Sequence, residues 1–257
     1  MTCAPYLSLQ GVGMQFSGAA VALDSISLNI AEREFITIVG PSGCGKSTLL
    51  YLIGGFLRPT TGSVTLRGKP ITSPGPDRGI VFQRYSLFPW LTVRRNISYG
   101  LEELGIARAE QDRIVAEHVR LVHLEGFEDR YPRELSGGMQ QRVALAQTLV
   151  CRPDVLLMDE PFGALDAQTR RILQDELRRI WLRDTKTVLF VTHDVEEAVA
   201  LGTRIVVMST RPGRIKEVIE RDFDIADGDE FEANPRFTAL KLRIWHSIKE
   251  EVEAVRS

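Results

Sequence analysis

Nothing in the chain restricts its fold as tightly as Gly40-Pro41-Ser42-Gly43-Cys44-Gly45-Lys46-Ser47-Thr48, which fits the pattern GxxxxGK[ST] in full. The segment sits between an apolar run, Phe35-Ile36-Thr37-Ile38-Val39, and a stretch that carries Leu49, Leu50 and Ile53 at helical spacing. A nearly continuous apolar strand belongs in a parallel sheet covered on both faces, so strand, loop and helix together predict an α/β core. Glycines let the backbone turn tightly and aim successive N–H groups inward, and the helix N-terminus adds the positive end of its dipole. The result is a cradle for phosphate oxygens. Within it Lys46 supplies a charge for the β- and γ-phosphates of a nucleotide, and the Ser47 hydroxyl a ligand for Mg2+. Kinases, GTPases and motors share such a loop, so other residues must say which chemistry it serves.

Those residues begin at Val155-Leu156-Leu157-Met158-Asp159-Glu160, an apolar strand ending in two carboxylates. Two acids at a strand end are by themselves usually a solvated terminus; in a chain with a phosphate loop they read as part of a site. Asp159 is expected to hold the metal through water. Glu160 is expected to face the attacking water as general base, a role that contributes about 100- to 10,000-fold.

At 257 residues the chain can bury a full core, as one α/β domain with an insertion or as two small domains. Hydrophobic residues at 44% and charged residues at 26% place it among ordinary globular proteins. A formal charge of −2 and a pI near 6.1 imply no whole-chain attraction to nucleic acid or anionic lipid. The longest apolar runs, such as those at Val155 and Val188, are strand-length, against the roughly 20 residues of a membrane helix. The chain is therefore expected to span no membrane, and its start, Met-Thr-Cys-Ala-Pro, lacks the pattern of a secretory leader. Cys3, Cys44 and Cys151 are odd in number, unrelated in spacing and form no CxxC, which suggests neither a disulfide framework nor a zinc site.

From Tyr6 to about Ile30 apolar and polar residues alternate in short pieces, Leu7 to Leu9 and Ile26 to Ile30, as in a sheet with one solvated face. Gly62 to Gly68 reads as a further surface strand and Ile80-Val81-Phe82 as a buried one. Beyond Gln83 the helical period takes over, with Ile114, Val115, His118, Val119, Leu121 and Val122 on one side, so about 85–150 reads as a helical insertion in the core. Core strands return at Val155, Val188 and Ile205. Phe237, Leu240, Ile244, Ile248, Val252 and Val255 then mark an amphipathic helix, expected to pack on its own domain, with docking on a partner as the alternative.

Leu135-Ser136-Gly137-Gly138-Met139-Gln140-Gln141-Arg142 resembles the signature sequence of the ABC ATPases. Physically, Ser136 can cap a helix whose first N–H groups stay free, and Gly137 and Gly138 bring no side chains to block a phosphate from reaching them. The resemblance implies a P-loop NTPase core with an antiparallel β subdomain and a helical signature subdomain. The ATPase domain then spans 1–220, and 221–257 form a short helical tail without a large regulatory domain. It implies ATP and Mg2+ as ligands and a head-to-tail dimer, expected to be a homodimer, in which Ser136, Gly137 and Gly138 of one copy close on nucleotide held by the other. Further family features follow in order. Phe16 resembles the aromatic that stacks on adenine, with a core phenylalanine as the alternative. Gln83 is similar to the glutamine that reaches Mg2+ and the attacking water, and Ala164-Leu165-Asp166 to the loop that speaks to the opposite site. His193 resembles the histidine that contacts the γ-phosphate; a lone histidine is usually structural, so this rests on its place after a buried strand.

Two phrases narrow the resemblance: Gly75 to Gln83 continued by Leu87-Phe88-Pro89-Trp90-Leu91-Thr92-Val93, and Ser209 to Ile215. Both look like the nitrate, sulfonate and taurine importer group. That implies integral-membrane permease subunits, an extracytoplasmic substrate-binding protein, and a place on the cytoplasmic face of the inner or plasma membrane, held through the permease. Phe88-Pro89-Trp90 falls where the family docks a short permease helix, although Trp90 could equally be core. A soluble cassette working on ribosomes or nucleic acid is the rival reading; the single cassette and the lack of a basic stripe speak against nucleic acid as a partner.

Overall fold

The computed structural model describes residues 5–18, 20–83, 86–163, 165–184, 186–210, 212–224 and 234–256. In chain order the elements are β1 (Leu7–Gln15), β2 (Val21–Ile30), β3 (Phe35–Val39), α1 (Lys46–Gly54), β4 (Thr61–Leu66), β5 (Lys69–Pro70), β6 (Arg78–Val81), α2 (Val93–Glu103), α3 (Arg108–Leu121), α4 (Gly137–Leu149), β7 (Val155–Asp159), α5 (Ala167–Asp184), β8 (Thr187–Val191), α6 (Val195–Leu201), β9 (Arg204–Met208), β10 (Ile215–Glu220) and α7 (Pro235–Arg256). They fall into two compact units, Met1–Gly75 with Arg183–Ser257, and Pro76–Leu182.

The first unit holds an antiparallel sheet in the order β2-β1-β4-β5. Leu7 pairs with Ile30 and with Leu66, and Leu9 with Leu28 and with Val64. All six are buried, so the period-two alternation puts one apolar face inward. The expected strand at Gly62 to Gly68 stops at Leu66. Arg67 and Gly68 both take positive φ, 50° and 74°, and form the turn into β5.

Its other strands run β10-β9-β3-β8, with β3 parallel to β8 and β9, and β10 antiparallel to β9. Every residue of β3 and β8 is buried, as their nearly continuous apolar runs lead one to expect. Val39, Ala198, Val199, Ile205, Val207, Phe237 and Ile244 form one core that joins strands to α6 and α7. The tail helix thus packs on its own unit, and Phe237 and Ile244, both essentially inaccessible, each contribute about 1.5–3 kcal/mol through burial.

In the second unit β6 runs parallel to β7. Of the expected buried strand at Ile80 only Val81 is fully covered, with Ile80 half-buried. Thr148 on α4 donates its hydroxyl to Ile80 O at 3.3 Å, fixing helix to strand. Ile114, Val115 and Val119 bury one face of α3 as the sequence period predicts. α2 starts at a Thr92 cap, and its next N–H groups, of Val93 and Arg94, donate to Arg130 O and Glu128 O, both at 2.8 Å. Among the described residues no helix is long and apolar enough to cross a membrane.

Candidate functional site

The phosphate loop leaves β3 at Gly40 and enters α1 at Lys46. Gly45 is the N-cap residue, with φ 96° and no side chain to cap the helix, and the first turn of α1 holds no acid. No side chain caps the start of α1, the end of a helix that favours an anion. A side chain at Gly45 would be strained on two counts: its φ, and a Cβ that would stand 3.2 Å from Ala22 O and 2.5 Å from Leu23 Cδ2. A Cβ at Gly40 would meet Met208 O at 2.7 Å, so the loop is wedged against β9.

Lys46 is 7% exposed. Its ammonium donates to Gly40 O at 2.8 Å and Pro41 O at 3.0 Å, with Cys44 Sγ at 3.8 Å, so the loop's own carbonyls hold the charge in place. Burial pushes the Cys44 thiol up, against the lowering effect of Lys46 beside it. Cys44 is therefore a neutral packing group in the loop. Ser47 and Thr48 follow, half-buried, in the first turn.

His193 belongs to the same unit. The Thr192 N–H donates to Ile38 O at 3.1 Å, which carries the end of β8 alongside the end of β3, and His193 emerges exposed one residue later. The Thr192 hydroxyl donates to Glu197 at 2.6 Å and accepts from the Asp194 N–H at 3.0 Å, while Asp194 caps α6. That network locks the backbone on either side of His193. Phe16, just past β1, is 41% exposed, so it is no core phenylalanine.

In the second unit, Asp159 ends β7 and is 1% exposed. Parallel pairing sets Val81 opposite Met158, so Gln83 and Glu160, each two residues further on, leave the strands at the same end. They meet: Gln83 Nε2 donates to Glu160 Oε2 at 3.1 Å. Glu160 has φ 49°, a left-handed conformation that costs an L residue about 1–2 kcal/mol. Its carbonyl accepts from Gln141 Nε2 at 3.3 Å and the Gly163 N–H at 3.2 Å, which hold the turn. Gln141 is buried, and the sequence reading passed over it as part of the signature helix. The only signal was Gln141's place in the helix after Ser136, since a glutamine that falls on a buried face needs a partner for its amide.

Ser136 caps α4 as expected, its hydroxyl accepting from the Met139 N–H at 3.3 Å, with Gly137 and Gly138 opening the helix. Asp166 caps α5: the Thr169 N–H donates to its carboxylate at 2.9 Å and holds it below the usual carboxylate range. Ala164, expected beside it, lies outside the described residues.

A second residue missed from sequence is Gly213. It is buried, its N–H donates to Ala22 O and its carbonyl accepts from the Asp24 N–H, both at 3.0 Å. A Cβ on Gly213 would stand 2.0 Å from Cys44 O, so this glycine lets a remote segment lie directly against the phosphate loop. Sequence read Ser209 to Ile215 as a group marker; the Pro212-Gly213 pair was a turn signal without an address.

Ser47, Gln83 and Asp159 offer hard oxygen donors of the kind Mg2+ takes. Among the described residues no group of three or more acidic, His or Cys side chains could hold a metal alone.

A parallel strand, a glycine loop with a buried lysine and an uncapped helix define the class: a P-loop nucleoside triphosphatase core. The description "ABC transporter" matches residues 23–163, more than half of the chain. The nitrate import ATP-binding protein of Synechocystis is 52% identical over 227 residues, 88% of this chain and 83% of that one. The taurine import ATP-binding protein of Rhizobium johnstonii is 46% identical over 241 residues, 92% of each. Among solved structures, the ATP-binding cassette MJ0796, dimeric in a post-hydrolysis state with ADP and Pi, matches at TM-score 0.75 and 33% identity over 84% of this chain and all of that one. The chain belongs to the ABC transporter family, as an ATP-binding subunit.

Proposed function

We propose that the chain binds Mg-ATP and hydrolyses it to drive uptake of a small anion, of the nitrate, sulfonate or taurine type, through a separate membrane permease. The observation that carries the hydrolytic part is the Gln83–Glu160 pair: a strained glutamate, braced at its carbonyl and bonded at its carboxylate, is a positioned base. Relatives named for nitrate and taurine import support the cargo class and the importer direction. They do not favour a soluble cassette acting on nucleic acid or ribosomes. In this reading the protein sits on the cytoplasmic face of the membrane through its permease, fed by an extracytoplasmic binding protein.

The loop amides and Lys46 bind the phosphates, and Phe16 offers its exposed ring to adenine. Ser47, Gln83 and Asp159 would hold Mg2+, which when bound neutralises developing charge on the phosphates. Glu160 takes a proton from water while His193 orients it against the γ-phosphate. Ser136, Gly137 and Gly138 of a second copy close the site, and Asp166 reports its state to the other copy. Loss of the γ-phosphate removes the negative charge that the two surfaces share, and the dimer opens. Phe88 and Trp90 meet the permease; the 70% exposure of Trp90 supports a partner contact and removes the core alternative.

The test is Glu160→Gln. The variant is expected to bind ATP with wild-type affinity, lose about 100- to 10,000-fold in turnover, and run as a dimer on size exclusion in Mg-ATP. Near-normal turnover would remove Glu160 from the role of base.

A further inference from the structure

Asn96, in the first turn of α2, is fully buried, and its side chain bonds only to the loop before it. The Phe88 N–H donates to Asn96 Oδ1 at 2.8 Å, and Asn96 Nδ2 donates to Phe88 O at 3.2 Å, Leu91 O at 2.9 Å and Thr92 O at 3.0 Å. The partners fix the amide's orientation, because a flipped amide would set its oxygen against three carbonyls.

α2 does not need this side chain for its own start. Thr92 caps it, and Val93 and Arg94 find Arg130 O and Glu128 O without it. The bonds of Asn96 are spent instead on residues 88–92, which carry the most exposed large apolar side chain among the described residues, Trp90. The Phe88 ring lies 4.5 Å from Tyr99 and 5.7 Å from Trp90, centroid to centroid, and forms an aromatic footing for the projecting indole. A loop whose backbone is pinned at both ends by one buried amide loses little freedom when a partner arrives.

We infer that Asn96 is a positioning residue for coupled transport: it holds residues 88–92 so that Trp90 is presented, already ordered, to the permease. This rests on the reading that Phe88 and Trp90 meet the permease, and the test separates the two. The wild-type subunit, Asn96→Ala, Trp90→Ala and the double variant are each titrated onto permease-only lipid nanodiscs. Binding affinity and permease-stimulated ATPase are measured, beside the basal ATPase of the isolated subunit.

Asn96→Ala is expected to keep basal ATPase within about twofold while weakening permease binding and stimulated ATPase about tenfold. The double variant should be no more than about twofold weaker than Trp90→Ala alone, because an ordered loop has nothing left to present once the indole is gone. The N–H groups of Phe88, Trp90, Leu91 and Thr92 should exchange faster in Asn96→Ala. Wild-type permease affinity in that variant, or fully additive losses in the double variant, overturns the inference. If Trp90→Ala binds the permease normally, the docking reading falls and takes the inference with it. Should Asn96→Ala fail to fold, Asn96→Ser decides by the same numbers; failure of both to fold also overturns it, since the residue would then serve the fold rather than the loop.

Discussion

Gly213→Ala adds one methyl far in sequence from the phosphate loop and should damage nucleotide binding. The new Cβ would lie 2.0 Å from Cys44 O and 3.0 Å from Ala22 O, both backbone atoms that no rotamer change can move. Reaching ordinary van der Waals separation from Cys44 O requires a shift of about 1.5 Å. β2 is the stiffer side, since the Gly213 N–H and carbonyl are bonded to Ala22 and Asp24 on it. The loop is the softer side, because Cys44 lies between Gly43 and Gly45. The displacement should therefore fall on the peptide ahead of Lys46. Overpacking of this kind costs about 1–3 kcal/mol of stability, and a misplacement near 1 Å costs about 100-fold in rate. Fluorescent-ATP titration and steady-state ATPase on the purified subunit read both effects. Gly68→Ala is the control: it strains the backbone at φ 74°, a penalty Gly213→Ala does not carry, yet its new methyl meets nothing within 4 Å, and it should leave ATP affinity unchanged. Gly213→Ala with wild-type affinity and turnover would refute the claim that the segment at Gly213 sets the loop.

Lys46→Ala should lose nucleotide affinity and hydrolysis together, since it removes the charge held by Gly40 O and Pro41 O; intact fluorescent-ATP binding would contradict it. Gln141→Leu should slow hydrolysis while sparing ATP affinity, because it removes the side-chain bond to the Glu160 carbonyl without touching the phosphate loop; equal loss of both would point to general unfolding instead. The Asp166 carboxylate is held below its ordinary value by the Thr169 N–H, so its cap stabilises α5 at neutral pH. That contribution is present above the unfolded pKa, near 3.8, and is lost as pH falls through the lower folded value. Protection factors at the start of α5, with the intrinsic pH dependence of exchange divided out, should fall in that acid window and stay level in Asp166→Asn, which caps without titrating.

The elements that carry the site were legible because each is encoded locally. The nearly continuous apolar run at Phe35 and the four apolar residues from Val155 satisfy themselves best as buried strands, and a lysine after Gly45 has one well-understood use at a helix start. Ser136 announced its helix for the same reason, since a serine ahead of two glycines is a cap before it is anything else. Trp90 and Phe16 were ambiguous by nature: aromatic residues suit a core as well as a contact, and only their exposure in the folded chain separates the two uses. The strand at Ile80 misled for a related reason, because three apolar residues in a row fix the strand but not how many of its faces are covered.

Gln141, Gly213 and Asn96 share a different property. Each acts through a backbone group brought near it only by the fold: the Glu160 carbonyl, Cys44 O, and the peptides at Phe88, Leu91 and Thr92. A backbone carbonyl has no side-chain identity, so no residue-type pattern can advertise such a contact. The motif residues in turn have little geometry of their own. Glu160 sits in a conformation unfavourable to it, and Cys44 lies between two glycines that would let the loop wander. In the proposed function the chemistry is thus placed by residues to which no nucleotide contact is assigned, which is why variants of those residues should separate hydrolysis, binding and coupling more cleanly than variants of the motifs themselves.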